Sequence, residues 1–263
     1  PVGTVTMLDI GQGDAFIIEL PYRKGVFLID AGARFSYTDF RPTETVYEQI
    51  IRPYLYGQGI GKIDAIFITH GDLDHNGSVN FIIDEFAVKE VIISNFYEMN
   101  EEEIDLWTTS NILVTRANAH KKLVRNGQDF YILAPERDRK SENENSLVLY
   151  TKLGGMIWLF TGDIDKEGER EIVKNFPQLQ VDILKVAHHG SNTSTDEQFI
   201  KTIQPTYALI SAGLNNRFGH PTKEVIDTFE KENIHVYRTD IHGAVQFKFR
   251  EDDYFITTFL PEK

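Results

Sequence analysis

Apolar positions along the chain follow two periods, and each change of period marks an element. Residues 4–10, Thr-Val-Thr-Met-Leu-Asp-Ile, alternate as a strand does. Gly11-Gln12-Gly13-Asp14 turns the chain. Residues 15–20 and 25–29 read as two more strands, joined by Pro21-Tyr22-Arg23-Lys24. From Thr43 to Tyr56 the period becomes helical: Val46, Ile50, Ile51, Tyr54 and Leu55 share a face, and Gly57 and Gly59 stop it. Residues 64–69 predict a buried strand, 76–85 a helix and 89–94 a strand that closes a β-α-β unit. An acidic helix follows over 96–110, then short strands at 112–115, 122–124 and 130–133, and a charged loop over 135–145. Strands 147–153 and 156–160 flank Gly154-Gly155, a tight hairpin. The remainder alternates: helix 166–176, strand 181–187, helix 195–203 with Thr195 as its N-cap, strand 206–211, a loop, and helix 222–231. Strands 234–237, 244–250 and 254–259 complete the chain. Each half carries several strands and then strand–helix units. Two mixed sheets packed face to face, with helices on both outer faces, are the simplest α/β architecture, an αββα sandwich.

The apolar run Ile66-Phe67-Ile68 ends in Thr69 and delivers His70, Asp72, Asp74 and His75 at i, i+2, i+4 and i+5. Similar groups stand at later strand ends: Asp163 after Phe160-Thr161-Gly162, and His188-His189 after residues 181–187. Imidazoles and carboxylates gathered near a core are costly unless compensated. A divalent cation compensates them. A polar loop with surface histidines is the plain alternative for the first cluster alone, and the later strand ends weigh against it. Brought to one sheet edge, the three strand ends define a dinuclear metal site. Asp30, which ends the third strand before Ala31-Gly32, is a turn former or a group that orients a ligand.

Composition narrows the chemistry. The 263 residues, 41% of them hydrophobic, suit one large domain or two small ones, and residues 1–263 are read as one. There is no cysteine, so every ligand must be His or a carboxylate. Lys and Arg number 27 against 40 Asp and Glu, and the charge of −13 argues against broad electrostatic binding of nucleic acid. No apolar run approaches the roughly 20 residues that cross a bilayer. The chain starts Pro1-Val2, with no Met and no signal peptide, so an excised fragment or a processed chain is expected.

Six stretches together are specific: Leu8-Asp9-Ile10-Gly11-Gln12-Gly13-Asp14-Ala15, the Thr69–Gly77 segment, Asn145-Ser146-Leu147-Val148-Leu149, Phe160-Thr161-Gly162-Asp163, Lys185-Val186-Ala187-His188-His189-Gly190-Ser191, and Phe218-Gly219-His220-Pro221. In this combination the chain resembles the metallo-β-lactamase superfamily. More closely, it resembles the β-lactamase-like domain of ComEC-type competence proteins, which move DNA across the bacterial membrane. The resemblance implies an αββα fold with a dinuclear site at one sheet edge. It also implies metal-dependent phosphodiester hydrolysis on DNA, degrading the strand that is not imported. The expected partners are DNA and the membrane-channel part of the same parent protein, with the domain on the extracellular or periplasmic side. Nothing in the sequence indicates a homo-oligomer.

The resemblance also implies ligands. One cation would use His70, Asp72 and Asp163, and the other Asp74, His75, Asp163 and His189, with Asp163 bridging. Asp30 would orient a ligand imidazole. Asp74 would also position the attacking water, and His188 would lie beside the substrate phosphate. His220, Ser191, Thr193 and Asn145 are candidate substrate contacts, with His220 a candidate proton donor. Lys185 either joins them or flanks its strand. Asp9 and Asp14 either flank the site from the Gly-Gln-Gly turn or only shape that turn. Two departures stand out: Asp72 occupies the place of the usual second His, and Asn145-Ser146 the place of the middle ligand His. The loss of two imidazoles favours Mn²⁺ over Zn²⁺ as the pair of cations. Two alternatives remain. One is hydrolysis of another phosphoester, and the other a non-catalytic, metal-stabilised module that docks DNA or protein.

Overall fold

The structure is a computed structural model and describes residues 2–36, 41–250 and 253–261. Two large sheets form it. The first runs in the order Asp253–Thr258, Val245–Arg250, Gly3–Met7, Ala15–Glu19, Val26–Ala31, Ala65–Phe67, Glu90–Ser94, Leu113–Ala117. Its first five strands are antiparallel and the last three join in parallel. The second runs His235–Arg238, Tyr207–Ile210, Ile183–Lys185, Met156–Phe160, Val148–Leu153, Gln128–Ala134, Lys122–Arg125. It too is part parallel, up to Met156–Phe160, and part antiparallel. The parallel strands of both sheets end at the same edge of the sandwich, where the polar residues predicted from the sequence gather.

Strand alternation explains the layers. Phe16, Phe27, Phe67, Phe130, Leu149, Trp158, Phe160 and Phe247 point between the sheets and form one buried core. The opposite faces of the same strands pack on helices. Leu28, Ile66 and Val91 meet Ile51, Leu55, Ile82 and Trp107, while Leu159, Leu184 and Ala208 meet Ile172, Phe199, Val225 and Phe229. The αββα sandwich follows.

Several element boundaries differ from the sequence pattern, each for a local reason. The helix predicted over 43–56 is a π-turn, Tyr47–Ile51, followed by Arg52–Gly57. Pro53 has no N–H for the ordinary helical ladder, and Arg52 N bonds back to Tyr47 O instead. The helix predicted over 76–85 is two pieces, Leu73–Asn76 and Val79–Glu85. Between them Ser78 donates its N–H to Ala31 O (2.8 Å) and its hydroxyl to Gly32 O (2.8 Å), which ties the break to the third strand. Thr195 is not the N-cap: Asp196 is, accepting from the N–H groups of Gln198 and Phe199 at 3.0 and 3.1 Å. The acidic helix is Glu101–Thr109, fixed by a reciprocal Asn100–Glu103 capping box. The third strand runs on to Ala31. Ala15 pairs with Ala31 while Phe16 pairs with Ile29, so Asp30 is an extra residue, a bulge with φ 59°.

Phe160 packs edge-on against Phe16 (5.3 Å) and stacks on Trp158 (5.7 Å) at the centre of the inter-sheet core. Phe160→Ala is therefore expected to cost about 3–5 kcal/mol of unfolding free energy. Asn100→Ala, at the surface cap, is expected to cost about 1 kcal/mol. Urea unfolding of both variants checks the ranking.

Candidate metal centre

The bulge aims Asp30 at the end of the neighbouring strand. Its Oδ1 accepts the Thr69 N–H at 2.7 Å, and its Oδ2 accepts the Thr69 hydroxyl at 2.7 Å and the His75 Nδ1–H at 2.8 Å. The backbone of Asp74 is held just as closely. Asp14 N–H donates to Asp74 O at 2.9 Å, and a Cβ at Gly13 (φ 126°) or at Gly32 would overlap that carbonyl. Only glycine admits the approach at either position. From the second sheet, His189 donates Nδ1–H to Ser211 O at 3.0 Å, and the Ser211 hydroxyl bonds Gly13 O at 2.5 Å.

These tethers fix the tautomers. With Nδ1–H committed on both rings, each Nε2 offers a lone pair. The two Nε2 atoms lie 3.4 Å apart. His75 Nε2 is 3.3 Å from Asp163 Oδ2, and His189 Nε2 is 3.4 Å from both Asp163 Oδ2 and Asp74 Oδ2. Acceptors thus face acceptors in a buried place. Candidate ligand atoms of Asp14, His75, Asp163 and His189 all lie within 4.8 Å of one another. His70 Nε2 and Asp14 Oδ1 are also buried with no hydrogen-bond partner. Such a donor set, with orphaned lone pairs, fits one or two divalent cations.

The electrostatics agree. Burial works against a charge on His75, but Asp163 and Asp30 overcome it and raise its pKa well above the ordinary value. His189 is raised as well, against burial, by Asp163 and Asp74. Burial also opposes ionisation of Asp74 and Asp163, yet the facing imidazoles hold both carboxyls well below the usual range. Protons on the imidazoles here answer the same demand that a cation would.

Lys185 does more than flank its strand. It is buried, and its ammonium contacts Asp14 Oδ2, Gly162 O (2.8 Å) and Asp163 Oδ1 (3.3 Å). Burial would discharge it, but Asp14 and Asp163 keep it charged. Asp14 belongs to the cluster rather than to the turn alone. The signal was in the sequence: a lysine inside the apolar run Ile183–Ala187 requires carboxylates, and Asp14 stands on the far sheet, 171 positions earlier.

The other predicted residues spread outward from the cluster. Asp72 is half exposed, with Oδ2 3.7 Å from His70 Nε2. His70 stacks near His75 at 4.0 Å between centroids, and its Nδ1 faces the hydroxyls of Thr69 (3.0 Å) and Ser146 (3.3 Å). His188 and His220 lie beside the cluster, 5.8 Å apart, and burial lowers the pKa of both, so both are neutral at pH 7. Thr193 bonds His188 Nδ1 at 3.2 Å and Ser191 Oγ at 3.0 Å. Asn145 is placed differently. Its amide is used within its own loop, accepting from Arg139 N–H (2.8 Å) and donating to Asp138 (2.9 Å). Its neighbour Ser146 reaches the centre, bonding Asp163 N–H at 3.0 Å. Asp9 only closes a turn onto Gly11 N–H at 3.2 Å.

A buried His–Asp cluster at the edge of an αββα sandwich defines a metal-binding fold used by metal-dependent hydrolases. Residues 8–213 match the metallo-beta-lactamase superfamily, and the chain belongs to it. Among relatives, ComE operon protein 3 of Bacillus subtilis is 37% identical over 257 residues, covering 94% of this chain and 33% of that protein. Competence protein ComA of Neisseria gonorrhoeae is 31% identical over 245 residues, covering 92% of this chain and 32% of its own length. The chain therefore spans about a third of these relatives. Among solved structures, the diiron β-hydroxylase CmlA of Streptomyces venezuelae superposes with TM-score 0.62 at 12% identity, covering 93% of this chain and 53% of CmlA. A diphosphatase of the PhnP family superposes with TM-score 0.53 at 14% identity, covering 95% and 99%. At such identities these two show the fold alone.

Two outcomes follow from the charge pattern. Raised imidazoles contribute stability that is fully present below the ordinary histidine pKa near 6.5 and lost as pH rises through the raised values. Depressed carboxyls contribute stability present above about pH 4 and lost as pH falls. Chelated protein should therefore melt at a lower temperature as pH rises beyond 6.5. The stabilisation from added Mn²⁺ should grow over the same range, because ligands shed protons to bind it. Thermal melts across pH, with and without metal, read both. Lys185→Met should destabilise chelated protein by about 3–5 kcal/mol, since it strands two buried carboxylates. Added metal should recover more of that loss than it adds to the wild type.

Proposed function

We propose that this chain is a metal-dependent phosphodiesterase acting on DNA during uptake, degrading the strand that is not imported. The observation that carries this reading is the set of converging His75 and His189 lone pairs and Asp carboxylates, with neutral His188 and His220 beside it. A pair of divalent cations would supply a water of lowered pKa and neutralise charge on the phosphate. His70, Asp72 and Asp163 would hold one, and Asp74, His75, Asp163 and His189 the other, with Asp14 an added candidate. The many carboxylate oxygens suit Mn²⁺ better than Zn²⁺.

The chain's own groups divide the remaining work. Asp74 orients the attacking water. Lys185 keeps Asp14 and Asp163 ionised and in place. His188, with Ser191 and Thr193 behind it, binds a phosphate oxygen. His220, neutral at pH 7, would donate a hydrogen bond to a phosphate or leaving oxygen. Beside it, exposed Phe218 lies 5.8 Å from the His220 ring, and the Arg217 guanidinium lies 4.8 Å from Phe218. An aromatic ring with a cation over it suits a nucleobase and its phosphate.

The likeness to competence protein ComA, with the sequence resemblance to ComEC-type domains, supports a role in DNA uptake. In that role this domain is one part of a bacterial cell-membrane protein, works beside its channel part, and faces the extracellular or periplasmic side, where the discarded strand lies. Among the described residues no helix is long and apolar enough to cross a membrane. The charge of −13 favours a second reading, hydrolysis of a small phosphoester. Tethering beside a DNA channel would offset that charge by local concentration.

The test is cleavage of end-labelled single- and double-stranded DNA with Mn²⁺, Mg²⁺, Zn²⁺ or chelator. Cleavage that requires Mn²⁺ is expected, with Asp74→Ala lowering turnover at least a hundredfold while the fold persists. His220→Ala should lower turnover without lowering bound metal. Turnover of small phosphodiesters but not DNA would support the second reading. Metal-dependent melting with no turnover of any substrate would leave a docking module.

A further inference from the structure

The end of the sandwich opposite the metal centre holds a cavity of about 840 Å³, within the size range of small-ligand sites. Residues 22–26, 58–62 and Lys89 contribute to its wall, at the start of the parallel strands rather than at their ends. Val26 begins the strand that carries Asp30, so four residues of strand separate cavity and cluster by roughly 13 Å.

In a chain with a strong excess of acids, this cavity is basic. Arg23, Lys24, Lys62 and Lys89 line it against Glu19 and Asp64. Both acids are already engaged: Glu19 accepts the hydroxyls of Thr4 (3.1 Å) and Tyr54 (3.3 Å), while Asp64 accepts Val26 N–H at 3.1 Å and faces Lys62 at 3.6 Å. Arg23, Lys24 and Lys89 have no carboxylate partner among the described residues. Arg23 instead donates to Gln58 O at 3.3 Å. The Lys24 ammonium lies 5.7 Å from the centre of the Tyr22 ring, which is 71% exposed. Tyr22 and Arg23 both have left-handed backbone, φ 63° and 52°, a strained pair of the kind that persists where a loop must present side chains to a ligand.

We propose that this cavity binds a segment of single-stranded nucleic acid, with Arg23, Lys24 and Lys89 on its phosphates and Tyr22 stacked on a base. Unpaired cations beside an exposed ring are the two elements of such recognition. A plain anion would use the cations and leave the ring idle. The site lies apart from the metal cluster and does not require that cluster to be hydrolytic.

Fluorescence anisotropy with a labelled oligothymidylate, at low salt and in chelator, tests it on the whole chain. The Lys24→Ala/Lys89→Ala double variant should bind at least tenfold more weakly. Its salt dependence should be shallower by about one and a half in the log–log slope, since each strand phosphate contributes about 0.7. Tyr22→Ala should weaken binding roughly fivefold or more. Melting temperatures of the Tyr22, Lys24 and Lys89 variants should match that of the wild type. A Lys24→Gln/Lys89→Gln pair repeats the measurement should the alanine pair fail to fold. Equal binding by wild type and double variant, or no binding by the wild type, would overturn the assignment. So would competition by inorganic phosphate as effective as that by unlabelled oligonucleotide. Chelator silences any hydrolysis, so failure here is distinct from failure of the nuclease reading.

Discussion

The arrangement depends on one carboxylate. Asp30, lifted out of the sheet ladder by a bulge, accepts three hydrogen bonds, from Thr69 N–H, the Thr69 hydroxyl and His75 Nδ1–H. Those bonds end the strand Ala65–Phe67 at a fixed point and fix the His75 tautomer. Across the interface the Ser211 carbonyl does the same for His189. Once both Nδ1 protons are committed, each Nε2 faces a carboxylate, His75 that of Asp163 and His189 those of Asp163 and Asp74, and either a proton or a cation must stand between them. The demand for positive charge is thus written into backbone geometry, and the ligand residues only express it.

Lys185 is one answer to that demand. It stands between Asp14 from the first sheet and Asp163 from the second, so it joins the two sheets and offsets two carboxylates at once. Ser146 accepts the Asp163 N–H and faces His70 Nδ1. A fixed ammonium and a hydroxyl therefore steady the carboxylates of the centre from both sheets.

Much of the fold was legible because the signals are local. Apolar alternation located the strands, Gly154-Gly155 located a hairpin, and apolar runs ending in His or Asp located the functional edge. The misplaced features depend on partners far along the chain or on single bonds. Thr195 reads as a cap because its type allows it, but the two amide bonds go to Asp196. The helix after the ligand cluster breaks at Ser78 because that residue bonds the Ala31–Gly32 backbone, which periodicity cannot register. Asn145 looks like a site residue by position, yet its amide closes its own loop. Asp14 reads as a turn residue until its partner, Lys185, is found on the other sheet.

Net charge is a poor guide to where an acidic protein meets an anion. Several of the 40 acids are neutralised internally: Asp14 and Asp163 by Lys185, Glu90 by Arg125, and Asp165 and Glu171 by Arg139. Those at the metal edge would face cations, and so count little towards repulsion of a phosphate. At the far end, the acids beside the cavity are bound by hydroxyls, an amide and Lys62, while Arg23, Lys24 and Lys89 form no salt bridge among the described residues. At physiological salt, fields from exposed charges fade over about 8 Å. An anion approaching either end would therefore sense local groups more than the total of −13.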